Sequence, residues 1–196
     1  MIQSTKDTKV ICASKYFDVE QIRKIYMNGY HDFGENKVYD MLEKMDQLKD
    51  LNITWHFIGH LQSNKVKDII NRIDLLHTLD RDSLLKAIQK HRTDPINCLI
   101  QVNIARESQK SGVLLENLDE FIAKIKKYDK INVIGFMTMG VHNDIDKTEK
   151  VFKKLYDLKQ KYGYKYLSMG MTDDYQLAIK YHATHLRIGR LFKSMV

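Results

Sequence analysis

The sequence predicts an α/β fold, a single (β/α)8 TIM barrel, on three observations. Short apolar, often β-branched runs alternate with segments of helical period from one end of the chain to the other. Eight such runs can be marked, and no stretch rich in Gly, Pro or Ser divides the 196 residues, so one domain spanning 1–196 is expected. Eight βα units in succession suit closure, because a closed barrel has no sheet edges and right-handed crossovers place every helix outside. An open doubly wound sheet is the alternative this rhythm leaves standing.

The elements follow in order. The first strand is expected at 10–14, and the helix after it carries its own punctuation. Asp18 is placed to cap, Gln21 sits where a capping box needs it, Val19, Ile22, Ile25 and Tyr26 share a face, and Gly29 can end the helix. Strands are expected next at 31–34, 55–59 and 75–78, followed by a helical stripe of Leu84, Leu85 and Ile88. The single proline, Pro95, falls in the loop before a fifth strand at 97–103. Leu114, Leu118, Phe121, Ile122 and Ile125 form the next stripe, with Lys124, Lys126, Lys127 and Lys130 as the solvated face of that helix. A sixth strand at 133–137, a stripe of Val151, Phe152, Leu155 and Leu158, and strands at 166–168 and 185–188 complete the pattern.

Composition narrows the function classes. An apolar content of 43% with 29% charged residues is that of a globular protein. Lys and Arg outnumber Asp and Glu by 32 to 25, which favours an anionic ligand, but the excess is spread along the chain. Nucleic-acid binding rests only on that balance and eleven tyrosines, without a recognisable motif, so no nucleic-acid partner is expected. Cys12 and Cys98 lie in apolar runs without metal-ligand spacing and read as buried thiols of a reducing compartment. The start of the chain has no apolar signal region and no run approaches a membrane span, so a cytoplasmic protein without membrane contact is expected.

In a barrel, functional groups belong at the C-terminal ends of strands. The first strand runs through Ile11, Cys12, Ala13 and Ser14 into Lys15, whose amine would enter the barrel mouth. Burial beside other charges could make it available for attack on an aldehyde, whereas a lysine reaching out to solvent is the plain alternative. After the seventh strand the chain reads Ser168-Met169-Gly170-Met171-Thr172-Asp173-Asp174, and after the eighth it reads Arg187-Ile188-Gly189-Arg190. Glycines let backbone N–H groups approach an anion, a hydroxyl adds a donor, and a following helix contributes its positive end. A turn capped by Asp173 or Asp174 would look the same locally. Closure joins the eighth strand to the first, so these segments become neighbours. An amine beside a phosphate cradle suits pyridoxal 5′-phosphate (PLP), with a Schiff-base sugar-phosphate aldolase and a non-covalent phosphate site as rivals.

At these residues the sequence resembles the pyridoxal phosphate homeostasis protein family, whose fold-type III PLP-binding barrel is similar to the N-terminal domain of alanine racemase. The resemblance covers nearly the whole chain. It runs through Ala13-Ser14-Lys15, Phe33-Gly34-Glu35-Asn36, the block Trp55 to Lys65, Val102-Asn103-Ile104, Glu107 with Lys110-Ser111-Gly112, Gly135-Phe136-Met137, the Ser168–Met171 block and Arg187-Ile188-Gly189.

It implies that Lys15 carries PLP as a Schiff base, that Ser168 and Gly189 meet the phosphate, and that Arg187 faces the pyridine nitrogen. Gly170, Asn36, Met137 and the Asn64-Lys65 pair would complete the mouth, Met137 equally as core. His56 is either an interior histidine or a neighbour of the cofactor. A guanidinium only donates, so it would leave the pyridine nitrogen unprotonated and the ring a poor electron sink. That suits holding PLP, or handing it to client enzymes, better than broad amino-acid catalysis.

Departures from the family pattern matter too. Fourteen residues precede Lys15, fewer than is usual in the family, which implies a reduced N-terminal cover. Arg190 stands where a small hydroxyl residue is common, and either joins the phosphate site or points to solvent. The β-rich second domain of alanine racemases is not expected. A monomeric, barely catalytic PLP-binding protein is the first expectation; a minimal PLP-dependent amino-acid racemase is the second.

Overall fold

The computed structural model describes residues 2, 5–106 and 111–196. Eight parallel strands close in chain order: β1 (Lys9–Ala13), β2 (Asp32–Glu35), β3 (Thr54–Phe57), β4 (Leu75–Leu79), β5 (Ile96–Gln101), β6 (Ile131–Met137), β7 (Tyr166–Ser168) and β8 (His185–Ile188). The seam is made by β1, which pairs with β2 on one side and β8 on the other, setting Lys9 opposite His185 and Cys12 opposite Ile188. That pairing excludes an open sheet.

Helices α1 (Val19–Met27), α2 (Val38–Gln47), α3 (Val66–Ile69), α4 (Asp82–His91), α5 (Leu118–Ile125), α6 (Ile145–Tyr162) and α7 (Tyr175–Lys180) link the strands. Their apolar stripes supply the layer outside the sheet, with Ile22, Ile25, Leu84, Leu85, Ile88, Phe152 and Leu155 fully buried. The expected cap of α1 is formed on both sides: Gln21 N donates to Asp18 Oδ1 at 2.8 Å, and Asp18 N donates to Gln21 Oε1 at 3.1 Å. Gly29 follows with φ +90°, the left-handed conformation that ends a helix.

Two expectations shift. Strands three and five end two residues earlier than their apolar runs, because Ile58 and Gly59 turn into the upper wall while Val102 leaves the sheet to bridge Val113. The lysine-rich stretch is not one helical face, since α5 stops at Ile125. Lys124 pairs with Asp82 and Glu120, and Lys130 Nζ donates to the Arg92 carbonyl at 2.7 Å. Cys12 and Cys98 are free and fully buried, and burial pushes both thiols above their usual range. Among the described residues no helix is long and apolar enough to cross a membrane.

Candidate functional site

The first strand ends at Ala13 and the chain turns through a short 3-10 turn, Ser14–Tyr16, which carries Lys15 over the C-terminal mouth of the barrel. The turn is anchored from below by a buried carboxylate. Glu35 is fully buried at the end of β2, accepting from Lys44 Nζ at 2.7 Å, from Ser14 Oγ at 3.0 Å and from Asn36 N at 2.8 Å. Lys44 Nζ also donates to the Ser14 carbonyl at 2.8 Å. One ion pair therefore fixes the backbone before Lys15 and the backbone of Asn36.

Above it lies a cavity of about 450 Å³. Lys15, Tyr16, Asn36, Met137, Arg187, Gly189 and Arg190 line it, together with Met171, Thr172 and Asp173 from the turn after β7. Lys15 is exposed at the rim, the solvent-reaching one of the two placements the sequence allowed, with Nζ 5.0 Å from the centroid of the Tyr16 ring. Glycine is needed at one place in this wall: a Cβ on Gly59 would stand 2.2 Å from the Asn36 carbonyl oxygen. At Gly189 a Cβ would meet the ring of the exposed Tyr16, which lies close over the turn. The backbone N–H groups of Thr172, Asp173 and Gly189 have no acceptor among the described residues, and Arg190 is held at the rim by Asp173. Asn36 Oδ1 is buried without a hydrogen-bond partner.

Lys15, Asn36, Met137, Arg187, Gly189 and Arg190, all singled out in the sequence, thus share one cavity wall. Ser168 and Gly170 lie behind it. The Ser168 hydroxyl, fully buried, faces His77 Nδ1 at 2.8 Å and accepts from Arg187 Nη1 at 2.6 Å. Gly170 receives the Arg187 backbone N–H on its carbonyl at 2.9 Å. Met137 both lines the cavity and packs on Leu75 and Leu99. Lys65 lines an adjoining hollow with Asn36 and His60, which Asn64 does not reach. Asp174, not Asp173, precedes α7, and its carboxylate accepts from Met171 N at 2.6 Å instead of capping the helix. Glu107 and Lys110 lie outside the described residues.

Arg187 is fixed on both edges, since Nη2 donates to the Thr138 carbonyl at 2.9 Å. Burial pushes its guanidinium down to about 10, opposed by the charge of Asp174, so it stays a cation at neutral pH. His56 is an interior histidine, bonded to His77 and Asp32 below the cavity. Sequence reasoning missed His77 and His185, which fill the barrel centre with it, and Asp32 at the lower mouth. His77 is flanked by apolar residues and Thr78 in β4, and only the inward alternation of the strands could have marked the three. Burial pushes His77 well below the usual imidazole value, helped by the neighbouring His56, His185 and Arg187, and burial above all pushes His185 down to about 3. Among the described residues no group of His, Cys, Asp and Glu has the geometry to hold a metal ion.

Comparison with known proteins agrees with this construction. The alanine racemase N-terminal domain family model matches residues 4–192. The pyridoxal phosphate homeostasis protein of Aquifex aeolicus is 38% identical over 193 residues, 93% of this chain and 85% of the relative. That of Helicobacter pylori is 41% identical over 195 residues, covering 94% and 87%. The solved structure of PipY from Synechococcus elongatus with PLP bound superposes with a TM-score of 0.89 at 26% identity, covering 97% of this chain and 94% of that one. With identity at this level along nearly its whole length, and with the Lys15 amine and a set of unpaired N–H groups meeting across a closed seam, the chain belongs to the pyridoxal phosphate homeostasis protein family.

Proposed function

We propose that this chain binds PLP and serves its homeostasis, holding the cofactor on Lys15 as a Schiff base with little or no turnover. The observation that carries the reading is the meeting of Lys15, after β1, with the 171–173 and Gly189-Arg190 turns, after β7 and β8, around one cavity. The donor set fits the cofactor. Unpaired N–H groups at Thr172, Asp173 and Gly189, the Thr172 hydroxyl and Arg190 would hold the phosphate. A buried acceptor without a donor costs about 1–3 kcal/mol, so Asn36 Oδ1 would be relieved by a ligand hydroxyl. Arg187 would present a donor to the ring nitrogen. When bound, the cofactor supplies an aldehyde and an electron-accepting ring.

Ser168 and Gly170 take a different part in this reading from the one their sequence suggests. They hold Arg187, and the phosphate falls to Thr172, four residues after the end of β7. A donor-only partner keeps the ring nitrogen unprotonated, which restrains carbanion chemistry and suits holding PLP for client enzymes. We place this activity in a single-domain, cytoplasmic monomer.

Visible absorbance tests the reading. The purified protein with PLP should show an imine band, borohydride should trap the cofactor on Lys15, and a chain that stays colourless refutes it. Incubation of the loaded protein with amino acids in deuterated water should leave the α-proton unexchanged; rapid exchange would favour the racemase instead.

A further inference from the structure

Below the cavity five polar side chains form one line through the barrel. Arg187 Nη1 lies 2.6 Å from Ser168 Oγ, Ser168 Oγ lies 2.8 Å from His77 Nδ1, His77 Nε2 lies 3.0 Å from His56 Nδ1, and His56 Nε2 lies 3.0 Å from Asp32 Oδ1. The line begins at the cavity wall on β8 and ends at the opposite mouth on β2, where Lys9 pairs with Asp32 at 3.1 Å. His185 closes the interior beside it, its ring centroid 6.1 Å from that of His56 and 5.8 Å from that of His77, with Tyr166 packed on its far side.

With both imidazoles neutral, the two ends dictate every proton between them. A guanidinium has only donors, so Ser168 must accept from it, and a carboxylate only accepts, so His56 Nε2 must carry hydrogen. Burial pushes Asp32 up, yet beside the His56 ring and the Lys9 ammonium its carboxyl ends below the usual carboxylate range, so it is ionised at neutral pH. A neutral His56 then offers Nδ1 as acceptor and His77 Nε2 must donate to it. His77 Nδ1 becomes an acceptor in turn, and the Ser168 hydroxyl donates to it. Only this order makes all four bonds with both imidazoles neutral. A proton added at His56 would reverse the His77 bonds and leave the Ser168 hydrogen without an acceptor.

We infer that Asp32, His56, His77 and Ser168 are positioning residues that hold Arg187 in place through a one-way hydrogen-bond chain, and thereby set how tightly the cavity grips the cofactor ring. The second half rests on the reading that Arg187 meets the PLP pyridine nitrogen; the first half does not. Nitrogen NMR of the histidine side chains in the full wild-type chain without PLP tests the first half directly. Hydrogen on Nε2 and none on Nδ1 is expected at both His56 and His77, and a protonated Nδ1 at His77 overturns the chain.

Two variants of nearly equal size test the second half. In His77→Asn the amide oxygen can stand where Nδ1 stood, whereas in His77→Leu nothing can accept from Ser168. Titration with PLP should show binding about tenfold weaker in His77→Leu and within about threefold of wild type in His77→Asn. Equal affinities in the two variants overturn the positioning role, and failure of His77→Leu to fold leaves the decision to His77→Asn and the tautomer spectrum. A wild-type protein that takes up no PLP sinks the cofactor reading instead, with the tautomers still deciding the chain.

Discussion

The two halves of the barrel interior use polar side chains in opposite ways. In the upper half, Lys15 and Arg190 stand exposed around a cavity, N–H groups at 172, 173 and 189 face no acceptor, and Asn36 Oδ1 faces no donor. In the lower half, His56, His77, His185 and Ser168 are as polar, yet all are buried and partnered by protein groups. Polarity alone therefore does not mark a binding site in this fold. What marks it is hydrogen-bonding capacity that the chain itself leaves unused.

That contrast can be broken from above or from below. The largest effect is expected from Lys15→Ala, which should abolish the absorbance band and borohydride trapping of PLP while changing unfolding free energy by less than about 0.5 kcal/mol, as for an exposed group. A large loss of stability would mean that the upper half is built like the lower. Removing the support beneath the mouth should do the reverse. Lys44→Met leaves the buried Glu35 carboxylate without its cation, and urea denaturation should show a loss of about 3–5 kcal/mol, partly restored by adding Glu35→Gln.

Acid should attack the lower half selectively. On unfolding, His185 and His77 regain the ordinary imidazole value of about 6.5, whereas in the folded barrel His185 takes a proton only near 3 and His77 is depressed as well. The unfolded chain thus binds more protons in that window. Stability is full above about pH 6.5 and falls as pH drops toward 3, by up to about 1.4 kcal/mol per pH unit for each ring. Urea midpoints at pH 7 and pH 5 measure it, and a flat profile would show that the rings are hydrated. The smallest effect sharpens the upper half. Thr172→Val removes one hydroxyl donor and should weaken PLP binding about fivefold without moving the unfolding midpoint, whereas Ser168→Ala should lower stability.

The periodicity of the chain carried the fold far. All eight strands are where alternation of apolar runs and helical stripes puts them, because a parallel barrel buries both faces of each strand and leaves near-continuous apolar runs. Strand ends were less legible, since Ile58 and Val102 are as apolar as the residues before them and only the bend into the cavity wall separates them. For the site, segments were legible and roles less so. The turn after the seventh strand stands out by its glycine and hydroxyls, but whether Ser168 or Thr172 reaches the cavity depends on where Ser168 faces at the strand end and how the turn folds over the mouth. Of the histidine interior only His56 was marked in the sequence; His77 and His185 gave no local sign, and His185 meets the other two only once the barrel closes.

The seam between β1 and β8 has a consequence for how the molecule opens. A bound anion held by turns after β7 and β8 and tethered to the turn after β1 would act as a clasp between the two ends of the polypeptide. Breathing motions that part the first and last strands would then have to release the ligand first, so its occupancy would be reported by slowed amide exchange along that one boundary, far from most of the atoms it touches.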